Sequence, residues 1–257
     1  MLHFVSMFMA LMSVHKLSRG VIMKKVWMVV KLTSICVFVA IVCLSSSVIT
    51  NYAVTTIAEN APISNRKCII IDAGHGGVDS GAVSCTGIYE SHLNLEIAVR
   101  LNDLMHLLGM KSVMIRKTDS DLSRVEGTIA ERKISDLKER VRIINETDNA
   151  VLISIHQNIF LDSRYSGSQV FYAQTVGSKE LALEIQRLLI AVLQPQNSRK
   201  IKRADHVYLM EHINCRGVLI ECGFLSNPEE EAKLRSERYQ KQICCVVAAT
   251  LSKYLNT

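Results

Sequence analysis

The feature that most constrains this chain is a set of short, uninterrupted apolar runs, CIIIDAG (Cys68 to Gly74), VLISI (Val151 to Ile155) and GVLIE (Gly217 to Glu221). A strand that is apolar at every position, instead of at every second one, must be covered on both faces. Longer segments of helical period separate these runs, so the pattern predicts an α/β fold with helices on both sides of the sheet. Further strands are expected at SVMIRK (Ser112 to Lys117), SQVFYA (Ser168 to Ala173) and HVYLM (His206 to Met210). Helices are expected from about Glu90 to Leu108, over DLKERVRIINE (Asp136 to Glu146) and from Ser178 to Leu193. Gly109 sits where the first helix should stop. Pro228 opens a terminal helix that can run nearly to Leu255, and the polar stretch from Asp119 to Asp136 reads as partly irregular. The expected architecture is a single α/β domain, a mostly parallel twisted sheet of about six strands flanked by helices.

The first fifty residues differ in kind. From Leu32 to Ile49 the chain runs without a charge, after Lys24 and Lys25. A stretch of this length can cross a bilayer or serve as a signal-peptide core, and its basic flank places the N-terminus inside and the folded part outside. Met1 and Met23 are both candidate starts. No Ala-x-Ala cleavage site follows the apolar run, which favours a retained anchor over a cleaved signal. Residues 1–50 are thus expected to be a signal or membrane-anchor segment, 51–66 a linker and 67–257 the folded domain. Four of the six excess positive charges lie in the first sixty residues, so the rest of the chain does not call for nucleic acid. One basic cluster remains, Arg199, Lys200, Lys202 and Arg203, either a solvated loop or a contact for an anionic substrate. Six cysteines lie beyond the apolar segment without C-x-x-C spacing, and most read as small buried residues.

Three of the apolar strands end in chemistry. The first runs into Ala-Gly-His75-Gly-Gly, the second into His156-Gln157-Asn158 and the third into Glu221-Cys222-Gly223. In open α/β sheets the ligand crevice lies beyond the carboxyl ends of the strands, so parallel strands would bring His75, His156 and Glu221 together. Two imidazoles and a carboxylate suit zinc, with a fourth position left to water. Singly, each histidine also has a bland reading, as a glycine-turn residue or a hydrogen-bonded strand end.

The blocks IIIDAGHGGVDSGAVSCTGIYESHLNLEIA, VLISIHQN and GVLIECGFLSNPEEEAKL, in that order, resemble those of the zinc-dependent N-acetylmuramoyl-L-alanine amidases, and the likeness covers roughly Lys67 to Leu255. The resemblance implies zinc as cofactor, with His75, Glu90 and His156 as its ligands and Glu221 as catalytic base. It makes residues 67–257 a zinc amidase catalytic domain acting on peptidoglycan. Pattern alone would read Glu90 as a carboxylate stabilised by a helix N-terminus. Asp72 is expected either to orient a ligand imidazole or to cap the glycine turn. Arg140 reads as a structural ion pair more readily than a substrate contact, and Asn158 and Asn227 as site neighbours or turn residues. His92 reads as exposed or supporting, and Glu96 as surface.

Within the family the chain is similar to the short, anchored, germination-specific type, which implies a role in spore-cortex formation of muramic-δ-lactam, completed by a separate deacetylase. It also implies an exported, extracytoplasmic location, such as the forespore intermembrane space, and an accessory lipoprotein partner. The competing readings are a zinc peptidase cutting within the stem peptides and an inert wall-binding relative. No G-x-G-x-x-G, P-loop or G-x-S-x-G motif offers a nucleotide site or a serine hydrolase.

Overall fold

Alternate residues of the central strands leave for opposite faces of the sheet, and helices cover both faces, as the uninterrupted apolar runs require. The computed structural model describes residues 67–255. In order along the chain these form β1 (Cys68–Ala73), α1 (Glu90–Leu107), β2 (Ser112–Met114), α2 (Ile129–Asn145), β3 (Ala150–Asn158), β4 (Gln169–Tyr172), α3 (Ser178–Leu193), β5 (Lys202–Arg203), α4 (Tyr208–His212), β6 (Arg216–Phe224), α5 (Pro228–Leu234) and α6 (Glu237–Leu255). The sheet order is β2-β1-β3-β6-β4-β5. All neighbours are parallel except β4 and β6, which run antiparallel.

Ile69 and Ile71 of β1, Val151, Ile153 and Ile155 of β3, and Val218 and Ile220 of β6 share one core with Ile97, Leu101, Ile185, Val247 and Leu251 of α1, α3 and α6. The residues between them, Ile70, Leu152 and Leu219, share the opposite core with Ile144, Leu209 and Met210 of α2 and α4. Each large apolar side chain so enclosed contributes roughly 1.5–3 kcal/mol. The same alternation carries Asp72, Ser154, His156 and Glu221 toward the α2 side, because they follow Ile70, Leu152 and Leu219 at even spacing.

Four expectations about elements change. Helix α2 begins at Ile129, seven residues before Asp136, because Thr128 and Glu131 form a reciprocal capping box that satisfies its first turn. HVYLM is not a strand. Its residues 208–210 open the short helix α4, whose Leu209 and Met210 are buried under the sheet, and the edge strand is instead the polar pair Lys202–Arg203. The terminal helix is two helices, broken at Arg235 and Ser236, with Gln240 Nε2 donating to the Leu234 carbonyl at the break. SVMIRK pairs only over Ser112 to Met114.

All six cysteines of the described residues are free. Cys68, Cys222 and Cys244 are buried, Cys215 is half-buried, and Cys85 and Cys245 are exposed. The apolar run from Leu32 to Ile49 lies outside the described residues, and among these no helix is long and apolar enough to cross a membrane.

Candidate active site at the strand ends

Because β1, β3 and β6 are parallel neighbours, their carboxyl ends open on one crevice. His156 pairs directly with Glu221 across β3 and β6, and the register shifts between His156 and Asn158, at the strand end. His75 lies just past β1 in the left-handed region at φ 61°, a conformation that costs a non-glycine residue roughly 1–3 kcal/mol. Two buried arginines hold that turn in place. Arg116 donates to the carbonyls of Ala73 and Gly74, and Arg140 to those of Ala73 and His75.

Glu90, the first residue of α1, is the hub. Its Oε1 lies 3.0 Å from His156 Nδ1 and its Oε2 lies 3.3 Å from His75 Nε2. The backbone amides of Gln157 and Ala82 and the Asn94 side chain donate to the same carboxylate. Burial alone would raise its pKa, but the two imidazoles override this and hold it far below the usual carboxylate range. His75 is pushed down by burial and up more strongly by Asp79 and Glu90, reaching about 9. Asp79 Oδ2 sits 2.8 Å from His75 Nδ1, which fixes the ring with Nε2 facing Glu90.

One donor atom from each of His75, Glu90 and His156 falls within 4.8 Å of the others. Three nitrogen and oxygen donors at this spacing fit one zinc ion bound at roughly 2.0–2.2 Å. The surroundings are shaped to the same end. A Cβ on Gly74 would stand 2.2 Å from His156 Nε2, and one on Gly81 would stand 2.6 Å from Glu90 Oε2. Only glycine lets the backbone pass so close to these side chains.

Glu221 is the opposite of Glu90. Its Oε2 is sealed from solvent and has no hydrogen-bond partner among the described residues. Burial, with Glu90 close by, raises its pKa to about 7 against the lowering pull of the two histidines. An unsatisfied buried carboxylate oxygen costs about 1–3 kcal/mol, which makes Glu221 a candidate for chemistry.

The remaining expected residues fall elsewhere. Asp72 accepts from Arg140 at 2.5 Å and from Ser154 at 2.6 Å. It therefore anchors Arg140 beneath the glycine turn, and no imidazole hydrogen-bonds to it. Arg140 is spent on Asp72, Asp136 and backbone carbonyls. The Asn158 carbonyl accepts from the Leu225 amide, and Asn227 caps α5. His92 is exposed beside Asp119, and Glu96 is an exposed acceptor for Gln240. Sequence reasoning missed Asp79, Arg116, Asn94 and Gly81. Only the D-x-G spacing after His75 hinted at the first and last of these.

Fold and crevice together define a class, an α/β protein whose strand ends gather a donor set able to hold one metal ion beside an unpaired carboxylate. Residues 69–253 match the N-acetylmuramoyl-L-alanine amidase family, to which the chain belongs. It is 37% identical over 191 residues to the germination-specific N-acetylmuramoyl-L-alanine amidase of Bacillus subtilis, covering 73% of this chain and 79% of that one. The N-acetylmuramoyl-L-alanine amidase LytC of the same organism is 32% identical over 192 residues, 73% of this chain and 36% of LytC. A structure of the CwlD amidase from Clostridioides difficile, in complex with the GerS lipoprotein, superposes with a TM-score of 0.71 at 38% identity. It covers 74% of this chain and 99% of that one. The chain is accordingly an amidase of peptidoglycan, a polymer outside the cytoplasmic membrane.

Proposed function

We propose that this enzyme is a zinc amidase in which His75, Glu90 and His156 hold the ion and Glu221 is the general base that cuts the bond between N-acetylmuramic acid and L-alanine. The observation that carries the reading is the unpaired Oε2 of Glu221, on the strand position next to His156. Held by these three donors, a zinc ion would supply Lewis acidity toward the scissile carbonyl and the attacking water. Beside a bound cation the Glu221 carboxylate would be favoured in its charged form, able to accept a proton at neutral pH. Glu221 takes the proton of the attacking water and delivers it to the amide nitrogen as the C–N bond breaks. The products are the lactyl carboxylate and the free amine of L-alanine. Asp79 keeps the His75 ring oriented throughout, and Arg116 and Arg140 keep the turn that carries it from relaxing.

The biological setting we propose is the spore cortex, where the cut provides the first intermediate toward muramic-δ-lactam. Identity to the germination-specific amidase of Bacillus subtilis supports this. Residues 1–50 serve as export signal or membrane anchor and 51–66 as linker to the catalytic domain at 67–257. A lipoprotein partner is in keeping with the complex formed by the related CwlD amidase.

The deciding experiment is Glu221→Gln, assayed for zinc content and for release of L-alanyl peptide from a muramoyl-peptide. Retained zinc with turnover lowered by about 10²–10⁴-fold is expected. Undiminished turnover would remove Glu221 from the base role.

A further inference from the structure

Beyond Glu221 the sheet continues into a second, differently charged region. Gln169 of β4 pairs with Glu221, as His156 does from the other side, so the three side chains stand on one face in one row. Gln169 Nε2 then donates to the Lys200 carbonyl at 2.7 Å, extending the row to the segment that leads into β5. Two interstrand steps of about 4.8 Å separate Glu221 from that segment, about 10 Å in all.

The row opens there on a groove of about 980 Å³, of which Gln169 is a wall. Arg199 lines it, its guanidinium 4.5 Å from the Phe224 ring centre and 5.6 Å from that of Tyr165, while its Nε donates to the Ser166 carbonyl. The groove's acids are largely spent. Asp162 is paired with Arg164, and buried Glu230 accepts from the amides of Gly167 and Phe224. Only Glu229 remains. Lys200, Lys202 and Lys233, by contrast, enter no ion pair among the described residues. Three unpaired ammonium groups and one immobilised guanidinium, facing one carboxylate, leave a groove suited to an anion.

On the amidase reading above, we infer that this groove is the subsite for the stem peptide, and that Lys200 and Lys202 recognise its free carboxylates. The peptide leaves the scissile amide at L-alanine and extends about 3.3–3.6 Å per residue, so its second residue lies about 7 Å on, and the extended lysine side chains cover the remaining distance from the 10 Å mark. Tyr165 and Arg199 offer it a flat wall. The lysines are specificity-determining and take no part in bond cleavage.

The test uses the zinc-loaded full-length enzyme in detergent and two muramoyl-peptides, one with a free glutamyl carboxylate and one with that carboxylate amidated. The native enzyme should prefer the free acid. Lys200→Gln/Lys202→Gln should raise KM for the acid on the order of tenfold, leave kcat within about twofold and abolish the preference. Lys200→Arg/Lys202→Arg, which keeps the charge, should retain the preference. Equal KM changes on both substrates, or none, would overturn the subsite. A native enzyme that cleaves neither substrate would overturn the amidase reading instead.

Discussion

Asp72 and Glu221 lie toward the carboxyl ends of β1 and β6, on one face of the sheet and two residues apart in register across β3, yet the fold treats them in opposite ways. Asp72 accepts from Arg140 and Ser154, and although burial opposes ionisation, these partners keep it charged. Glu221 has one oxygen with no partner, and burial lifts its pKa to about 7. The two ends teach that location alone does not make a reactive carboxylate. A satisfied carboxylate becomes part of the frame, and an unsatisfied one keeps its affinity for a proton available to substrate.

The contrast yields measurements of decreasing size. The largest difference should appear between kinetics and stability at the β6 end. Glu221→Gln, at its expected loss of about 10²–10⁴-fold in turnover, should unfold at the same denaturant concentration as the native protein or a higher one. A marked loss of stability would mean that Glu221 is structural after all. At the β1 end the roles reverse. Arg140→Met leaves Asp72 and Asp136 buried without their cation and should cost about 3–5 kcal/mol in denaturant unfolding. A cost below about 1 kcal/mol would break the contrast.

A smaller effect tests the link between frame and site. Asp79→Ala frees the His75 ring and should weaken zinc binding by roughly 10–100-fold in chelator competition, with little change in unfolding. Unchanged affinity would show that the turn alone orients the ring. An effect of comparable size is in pH. Asp79 and Glu90 raise the folded pKa of His75 to about 9, so at neutrality a zinc ion binding there would have to displace its proton. Zinc affinity should therefore rise by up to about tenfold per pH unit from neutrality to pH 9 and then level off. A flat profile in this range would place the His75 pKa below it.

The sheet was legible because both-face burial writes itself as continuous apolar runs, and β1, β3 and β6 all lie where those runs predict. His75, His156 and Glu221 were legible for a related reason, since each is a polar residue ending such a run. Glu90 was not, because a carboxylate opening a helix is ordinary on pattern, and only family resemblance singled it out. Arg116, Asn94 and Asp79 act on neighbours that the fold supplies. Arg116, for instance, reaches carbonyls 42 and 43 positions back along the chain. The α2 start was written in Thr128 and Glu131 but lay inside a stretch read as irregular. HVYLM misled because a run of four apolar residues has no period that separates strand from helix.

The central claim is that three side chains remote in sequence share one ion, and metal stoichiometry tests it most directly. Native protein and Glu221→Gln should each carry about one zinc per chain after dialysis, and His75→Ala and His156→Ala should each carry almost none. Full zinc occupancy in either histidine variant would contradict the account.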